Sequence, residues 1–180
     1  MLAHALASHP ELEFHCELRD FTRYGRAFRR VHGKQNFVIV MYNQLRLADR
    51  FGIDLTRTPV IHLTRNDRQV ALSNVRNNRA KKLRGSLHTP HYTSEAEIPD
   101  ELIYDPPEAE IVPWLAQIEN WRTAALSRII HNRRVLTIDY GDITGGTDIR
   151  AIPPHLTERL CTFLGVRVAP LAVSLIKSSR

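Results

Sequence analysis

The sequence predicts an α/β fold, in which a parallel sheet is flanked by helices. Three apolar runs rich in β-branched residues predict strands, and segments with the apolar spacing of helices separate them. Strands that alternate with helices pair in parallel, because the intervening helix returns the chain to the edge where the previous strand began. With 180 residues, 43% of them hydrophobic, the chain is long enough to bury one core. We therefore predict a single domain over residues 1–180.

The three predicted strands are short. They are "NFVIVMY" at residues 36–42, "PVIHLT" at residues 59–64 and "RVLTIDY" at residues 134–140. Continuous apolar runs of this length are typical of strands that are buried on both faces of a parallel sheet.

Three predicted helices lie in the N-terminal part of the chain. "MLAHALASH" has helical spacing and stops at Pro10, and residues 17–32 form a basic amphipathic helix. "NQLRLADRFG" is a short helix that Gly52 closes, because glycine readily takes the left-handed conformation that follows many helices.

The C-terminal part predicts a long helical segment at residues 107–132 and a helix at residues 153–165, which prolines open and glycine ends. Residues 83–106 interrupt the pattern with a polar stretch. Loops longer than about 12 to 15 residues are usually lids, binding loops or disordered segments. We predict that residues 83–106 form a lid over a binding site or a disordered loop.

Charge favours an anionic partner. Lys and Arg number 25 against 19 Asp and Glu, which gives a formal net charge of +6. This excess is compatible with nucleic acid, a membrane surface or a small phosphorylated ligand. The basic run "RNNRAKKLRG" at residues 76–85 has no RNA-binding aromatic signature beside it, so a solvated basic face is favoured over binding to a nucleic-acid backbone.

Cysteine usage and hydropathy indicate a cytoplasmic protein. Cys16 and Cys161 lie far apart, with no CxxC and no Cys/His pair at zinc-finger spacing, so we predict neither a disulfide framework nor a metal site. No stretch approaches the roughly 18 to 20 consecutive apolar residues that span a bilayer, and no signal-peptide pattern opens the chain.

An arginine and a serine stand out after the second predicted strand. Arg65 follows that strand directly, and Ser73 lies eight residues later in a helix that Asn66 or Asp67 can cap. Ligands of open α/β sheets bind at the carboxyl ends of the strands, where an arginine fork and a hydroxyl can both donate to phosphate oxygens. The alternative is a surface arginine and an ordinary serine on a helix face.

Three segments resemble sulfotransferases that use 3′-phosphoadenosine 5′-phosphosulfate. "VIHLTRNDRQVALS" at residues 60–73 resembles the segment that binds the 3′-phosphate. "LASHPELEFHCEL" at residues 6–18 is similar to the bacterial carbohydrate and nodulation-factor pattern of a helix ending in His-Pro, an extended piece and a Gly-Glu pair. "RVLTIDYGDI" with "LCTFLGV", at residues 134–143 and 160–166, looks like the closing strand and helix of the family. The resemblance extends from residue 2 to about residue 177 and implies a P-loop-like parallel sheet.

The resemblance implies roles for particular residues. Arg65 and Ser73 match the pair that holds the 3′-phosphate of the donor, and Lys177 matches a lysine that contacts the donor's phosphates. Glu17 occupies the place of the glutamate that takes the proton from the acceptor hydroxyl, although Cys16 replaces the family's glycine before it. His15 is a second candidate for the base.

One part of the family pattern is absent from these residues. The 5′-phosphosulfate loop, a strand followed by a Ser/Gly-rich turn, would stand immediately before "LAHALASHP", and we expect the first strand and this loop to be missing from the chain. The resemblance implies transfer of a sulfuryl group from 3′-phosphoadenosine 5′-phosphosulfate to a hydroxyl of a carbohydrate, without a metal. The alternatives are a non-catalytic homologue that binds a nucleotide or a protein, and a basic nucleic-acid-binding module.

Overall fold

The computed structural model describes residues 2–17, 33–84, 105–144 and 151–172. Within these ranges the chain forms four short strands and six α-helices. In chain order the elements are α1 (Leu2–Ala7), β1 (Leu12–Glu17), β2 (Gln35–Ile39), a 3₁₀ helix (Tyr42–Gln44), α2 (Leu45–Arg50), β3 (Val60–Thr64), α3 (Asp67–Arg84), α4 (Glu108–Ile129), β4 (Val135–Asp139), α5 (Tyr140–Thr144) and α6 (Pro154–Leu164).

The chain divides into two compact units. The first unit comprises Met1–Thr64 and Thr123–Ser174, and the second comprises Arg65–Arg122 and Leu175–Arg180. The four described strands belong to the first unit, and helix α3 belongs to the second. The single domain over residues 1–180 stays a prediction.

The strands pair in parallel, as the alternation of strands and helices predicted. Strand β1 pairs with β2, and β3 pairs with β4, so the described strands form two separate two-stranded sheets. The mixed α/β class is therefore confirmed. Strand β1 ends at Glu17, where the sequence predicted that a helix begins, so that helix boundary is wrong. Residues 18–32 of the predicted helix lie outside the described residues.

The two strand pairs differ in register. In the second pair every residue from Val60 to Thr64 faces one residue of β4 without interruption. In the first pair Phe14 faces Phe37, but the next described partners are Glu17 and Ile39. Strand β1 therefore carries one residue more than β2 over this step, which is a β-bulge at positions 15 and 16.

The core of the first unit is built from helices and strand residues that are distant in sequence. Helix α1 contributes three apolar residues and α6 contributes two, and these pack with one residue each from β1 and β4. The buried members are Leu2, Ala5, Leu6, Leu12, Ile138, Ile143, Ile152, Leu156, Leu160 and Leu171. Burial of such apolar surface is the main force that holds these short strands together.

Several helix ends agree with the sequence prediction. Asn66 caps α3, since its side-chain Oδ1 accepts a hydrogen bond from the backbone N–H of Gln69 at 3.2 Å. Helix α6 begins at Pro154 and is followed by Gly165, whose φ of 68° lies in the left-handed region that favours glycine. Gly52 follows α2 with a φ of 67°.

The second unit has its own apolar contacts. Ala71 of α3 packs with Ile111 and Ile118 of α4, and the half-buried neighbours Val70, Leu72, Trp114 and Leu115 surround them. Helix α4 lies within the long helical segment that the sequence predicted at residues 107–132. Residues 83 and 84 are the last two of α3, residues 105 and 106 have no regular structure, and the rest of the predicted lid lies outside the described residues.

Candidate functional site

Arg65 lies between strand β3 and helix α3. Strand β3 ends at Thr64, and Asn66 is the residue that caps the helix. Arg65 is an exposed residue. The first backbone N–H groups of a helix have no partners within it, so its N-terminus carries a partial positive charge. The structure therefore places Arg65 beside the positive end of an 18-residue helix.

Ser73 lies two turns into the same helix and is half-buried. With a rise of about 1.5 Å per residue, it lies about 9 Å along the axis from Asp67, the first helical residue. Arg65 and Ser73 both belong to the second unit. Arg65 precedes α3 and Ser73 lies in the N-terminal half of that helix, as the sequence predicted.

The neighbouring charged residues at the start of α3 are engaged with α4. Arg68 donates two hydrogen bonds to the carboxylate of Glu108, each at 2.8 Å, and both side chains are more than half exposed. These hydrogen bonds lower the pKa of Glu108 and raise the pKa of Arg68. Asp67 accepts a hydrogen bond from Arg122. Arg68 and Arg122 are therefore poor candidates for holding an anion.

The C-terminal half of α3 carries a group of exposed basic residues, which we call the basic half of α3. These residues are Arg76, Arg79, Lys81 and Lys82. Cations at the C-terminal end of a helix interact favourably with its macrodipole, which stabilises the helix without any ligand.

Two other site residues predicted from the sequence are Glu17 and Lys177. Glu17 is the last residue of β1 and belongs to the first unit, and its side chain is outside the described part of the structure. Lys177 lies outside the described residues. Both roles stay predictions.

The structure reveals a polar pair on β1 and β2 that the sequence showed only in part. The Nε2 atom of His15 lies 2.6 Å from Oδ1 of Asn36. The Nδ2 atom of Asn36 donates to the backbone oxygen of Lys34 at 2.9 Å, and Lys34 forms an ion pair with Glu13 at 3.1 Å. The sequence indicated His15 as a candidate base but gave no sign of Asn36, because the pairing depends on the register of two strands.

Two further polar contacts lie around strand β3, and neither was predicted. Thr64 donates to Asp139 of β4 at 3.0 Å, and the same carboxylate accepts the N–H of Gly141 at 2.7 Å. The hydroxyl of Tyr42 lies 2.6 Å from Nε2 of His62, a buried histidine. Thr64 and Asp139 are paired in register at the carboxyl ends of their strands, which is the signal that could have indicated this contact.

Metal-ligand groups and membrane-spanning helices are both absent from the described residues. No group of three or more His, Cys, Asp and Glu side chains in these ranges is arranged to hold a metal ion. No helix of the described part combines the length and the apolar character needed to cross a membrane.

Comparison with known proteins gives no relative for this chain. No family model, no curated protein and no solved structure matches it.

Proposed function

We propose that this chain is a sulfotransferase that uses 3′-phosphoadenosine 5′-phosphosulfate, and that Arg65 and Ser73 bind the 3′-phosphate of this nucleotide. The observation that carries the proposal is the position of the exposed Arg65 at the N-terminus of α3, with Ser73 two turns further along the same helix. The resemblance to sulfotransferases places the two residues that bind the 3′-phosphate at these same positions.

The chemistry of these groups suits a phosphate. A guanidinium presents N–H donors in a fork that matches two phosphate oxygens, and charge-assisted hydrogen bonds of this kind are about twice as strong as neutral ones. A serine hydroxyl adds a donor, and the helix N-terminus adds a partial positive charge. Arg65 is the exposed arginine at the start of α3 to which the resemblance assigns the 3′-phosphate contact.

The proposed reaction moves a sulfuryl group from the nucleotide to a hydroxyl of a carbohydrate. The fold expected for it is a P-loop-like parallel sheet, and the parallel pairing of the described strands supports this expectation. Cationic groups must stabilise the leaving phosphate, and a base must take the proton of the acceptor. We propose Lys177 as a further phosphate contact. The candidates for the base are Glu17 and His15, which both lie on β1.

Calorimetric titration with adenosine 3′,5′-bisphosphate tests the proposed nucleotide site. Replacing Arg65 by alanine removes the charged contact to the 3′-phosphate. Loss of a hydrogen bond to a charged group costs about 1.5–3 kcal/mol, so we expect the affinity to fall roughly 10- to 150-fold. Ser73→Ala removes one hydroxyl donor and should weaken binding by about 2- to 12-fold.

Two controls make this test specific. The first is 5′-AMP, which lacks the 3′-phosphate and should bind with the same weak affinity to the wild type and to Arg65→Ala. The second is Arg57→Ala, which removes an arginine that is 88% exposed and paired only loosely with Asp54 at 3.6 Å. Equal affinities of the wild type and Arg65→Ala for the bisphosphate would contradict the proposal.

A second candidate function is nucleic-acid binding, which the exposed basic half of α3 favours. Binding to phosphate backbones weakens steeply with salt, because counterions are released. Salt-dependent binding of an oligonucleotide that adenosine 3′,5′-bisphosphate does not displace, and that Lys81→Ala with Lys82→Ala abolishes, would support this candidate. Bisphosphate binding without sulfuryl transfer would instead indicate a non-catalytic nucleotide-binding homologue.

A further inference from the structure

Arg68 lies at the end of α3 that disfavours a cation. It is the second residue of the helix, and the N-terminus of a helix carries a partial positive charge. Cations are favourable instead at the C-terminal end, where the basic half of α3 lies. The helix dipole therefore gives no reason for an arginine at this position, and its charge is balanced by a partner on another helix.

That partner is Glu108, the first residue of α4. Nη1 of Arg68 donates to Oε1 of Glu108 and Nη2 donates to Oε2, each at 2.8 Å. The carboxylate lies at the N-terminus of its own helix, where the macrodipole favours an anion. The hydrogen bonds from Arg68 lower the pKa of Glu108, so this carboxylate is charged at neutral pH. The charge of Asp105 also acts on Arg68, but more weakly than Glu108 does.

The pair between Arg68 and Glu108 has the geometry in which an arginine binds a phosphate. A guanidinium that donates two parallel hydrogen bonds to the oxygens of a carboxylate uses the same fork that it offers to two phosphate oxygens. Both of these donors of Arg68 are engaged by Glu108. The carboxylate of Glu108 therefore occupies the place on Arg68 that an anionic ligand would take.

Arg65 and Arg68 lie three residues apart at the start of α3. Arg65 precedes the capping residue Asn66, and Arg68 lies in the first turn of the helix. Arginine side chains are long, so two of them this close in sequence can contact adjacent groups of one ligand. With Arg68 released from Glu108, the start of α3 would present two guanidinium groups. Two such groups suit two adjacent phosphates, whereas one suits a single phosphate monoester.

We propose that Glu108 is a specificity-determining residue of the nucleotide site. By holding Arg68, it leaves Arg65 to meet the ligand, so that the site takes the single 3′-phosphate of the nucleotide in preference to a pyrophosphate group. This inference rests on the proposed function. Arg65, Arg68 and Glu108 all belong to the second unit. Glu108 acts through Arg68 and does not itself contact the nucleotide.

Calorimetric titration of the full chain with inorganic pyrophosphate and with adenosine 3′,5′-bisphosphate tests this role. Glu108→Ala releases Arg68, so the affinity for pyrophosphate should rise about 3- to 10-fold. The gain is modest because Arg68 is more than half exposed and its charge is screened by solvent. The affinity for the bisphosphate should change less, because its two phosphates are on separate ribose carbons and its 3′-phosphate binds Arg65. An unchanged ratio of the two affinities would overturn the role of Glu108.

A double variant, Glu108→Ala with Arg68→Ala, identifies the cause of the change. If the released arginine binds pyrophosphate, its removal should return the ratio of affinities to the wild-type value. A merely structural role, in which loss of Glu108 shifts α3 on α4, predicts instead that the double variant behaves like Glu108→Ala, and that result would overturn the proposal.

The matched control is Glu119→Ala, because Glu119 is an exposed glutamate of the same helix and its loss changes the net charge equally. We expect the wild-type ratio of affinities in this variant. A rise in pyrophosphate affinity equal to that of Glu108→Ala would show a general effect of net charge and would contradict a specific role of Glu108.

Binding of adenosine 3′,5′-bisphosphate separates failure of this inference from failure of the proposed function. If the wild type binds the bisphosphate through Arg65 and Glu108→Ala keeps the wild-type ratio, the role of Glu108 is overturned and the proposed function stands. If the wild type binds the bisphosphate no more tightly than 5′-AMP, the proposed function fails and this role fails with it. A raised pyrophosphate affinity in Glu108→Ala that Arg68→Ala reverses, with bisphosphate binding retained, supports the proposal.

Discussion

The two parallel strand pairs of the first unit differ in regularity. Strands β3 and β4 pair residue by residue from Val60 to Thr64, whereas β1 and β2 lose their register after Phe14. In the regular pair, polar side chains bond the ends of the strands to each other and to the adjoining chain. In the bulged pair, the irregular step coincides with the contact between His15 and Asn36. The comparison indicates that the regular pair is fixed by uninterrupted pairing, whereas the bulged pair loses one step of pairing where His15 contacts Asn36.

The largest expected effect is on the free energy of unfolding, when a residue at the buried centre of β4 in the regular β3–β4 pair is replaced. Ile138 is 2% exposed and belongs to the core of the first unit. Ile138→Ala leaves a cavity, so we expect the free energy of unfolding to fall by about 2–5 kcal/mol in urea denaturation followed by circular dichroism.

The comparison variant in the bulged pair is Phe14→Leu. It keeps apolar bulk at a half-buried site and removes the ring stacking on Phe37, worth about 0.5–1.5 kcal/mol. If Phe14→Leu destabilised the chain as much as Ile138→Ala does, the regular pair would not contribute more to stability than the bulged pair.

A smaller loss of stability is expected when Asn132 is replaced, because its side chain holds the chain segments that precede β3 and β4. Its Nδ2 donates to the backbone oxygens of Leu55 and Thr58, each at 2.7 Å, and its Oδ1 accepts the N–H of Arg134 at 2.8 Å. Asn132 is 8% exposed, so its removal leaves partly buried groups without partners. Asn132→Ala should cost about 1–3 kcal/mol of unfolding free energy.

Hydrogen exchange of the backbone amides shows which strands Asn132→Ala destabilises. Protection of the backbone amides of β3 and β4 should fall in Asn132→Ala, while protection in β1 and β2 changes less. Asn43→Ala is the control, because Asn43 is exposed and should leave both patterns as they are. Uniform loss of protection in all four strands would argue against a local role of Asn132.

The smallest expected effect is a pH dependence in the loop before β3. Thr56 donates its hydroxyl and its backbone N–H to the carboxylate of Asp54, and these bonds lower the pKa of Asp54. A lowered pKa in the folded state contributes stability above the unfolded value of about 3.9, and this contribution is lost as the pH falls through the folded value. Thr56→Val should therefore destabilise the chain slightly at pH 7 and less below pH of about 3.

Urea denaturation at the two pH values checks this expectation. Thr56→Ser keeps the hydroxyl and should follow the wild type at both. A Thr56→Val effect that does not shrink in acid would show that the hydroxyl acts independently of the charge on Asp54.

The sequence by itself determined the α/β class and several helix ends, because these depend on short-range chemistry. Asn66 caps α3, and Gly165 follows α6 in the left-handed conformation. The strands at Val60–Thr64 and Val135–Asp139 follow from their continuous apolar runs. In the candidate site, the eight-residue spacing already placed Arg65 before a helix and Ser73 within it.

Only the tertiary structure decided which strands pair and in which register. The sequence did not predict β1 as a regular strand, because its polar and apolar residues alternate over only a few positions before the bulge. The bulge interrupts the two-residue alternation of side chains, so the sequence does not show whether His15 and Glu17 share a side of the strand. The contact of His15 with Asn36 joins residues that are 21 positions apart. Local sequence patterns do not predict this contact, because a shift of one residue in the pairing of β1 and β2 would turn Asn36 to the other face of the sheet.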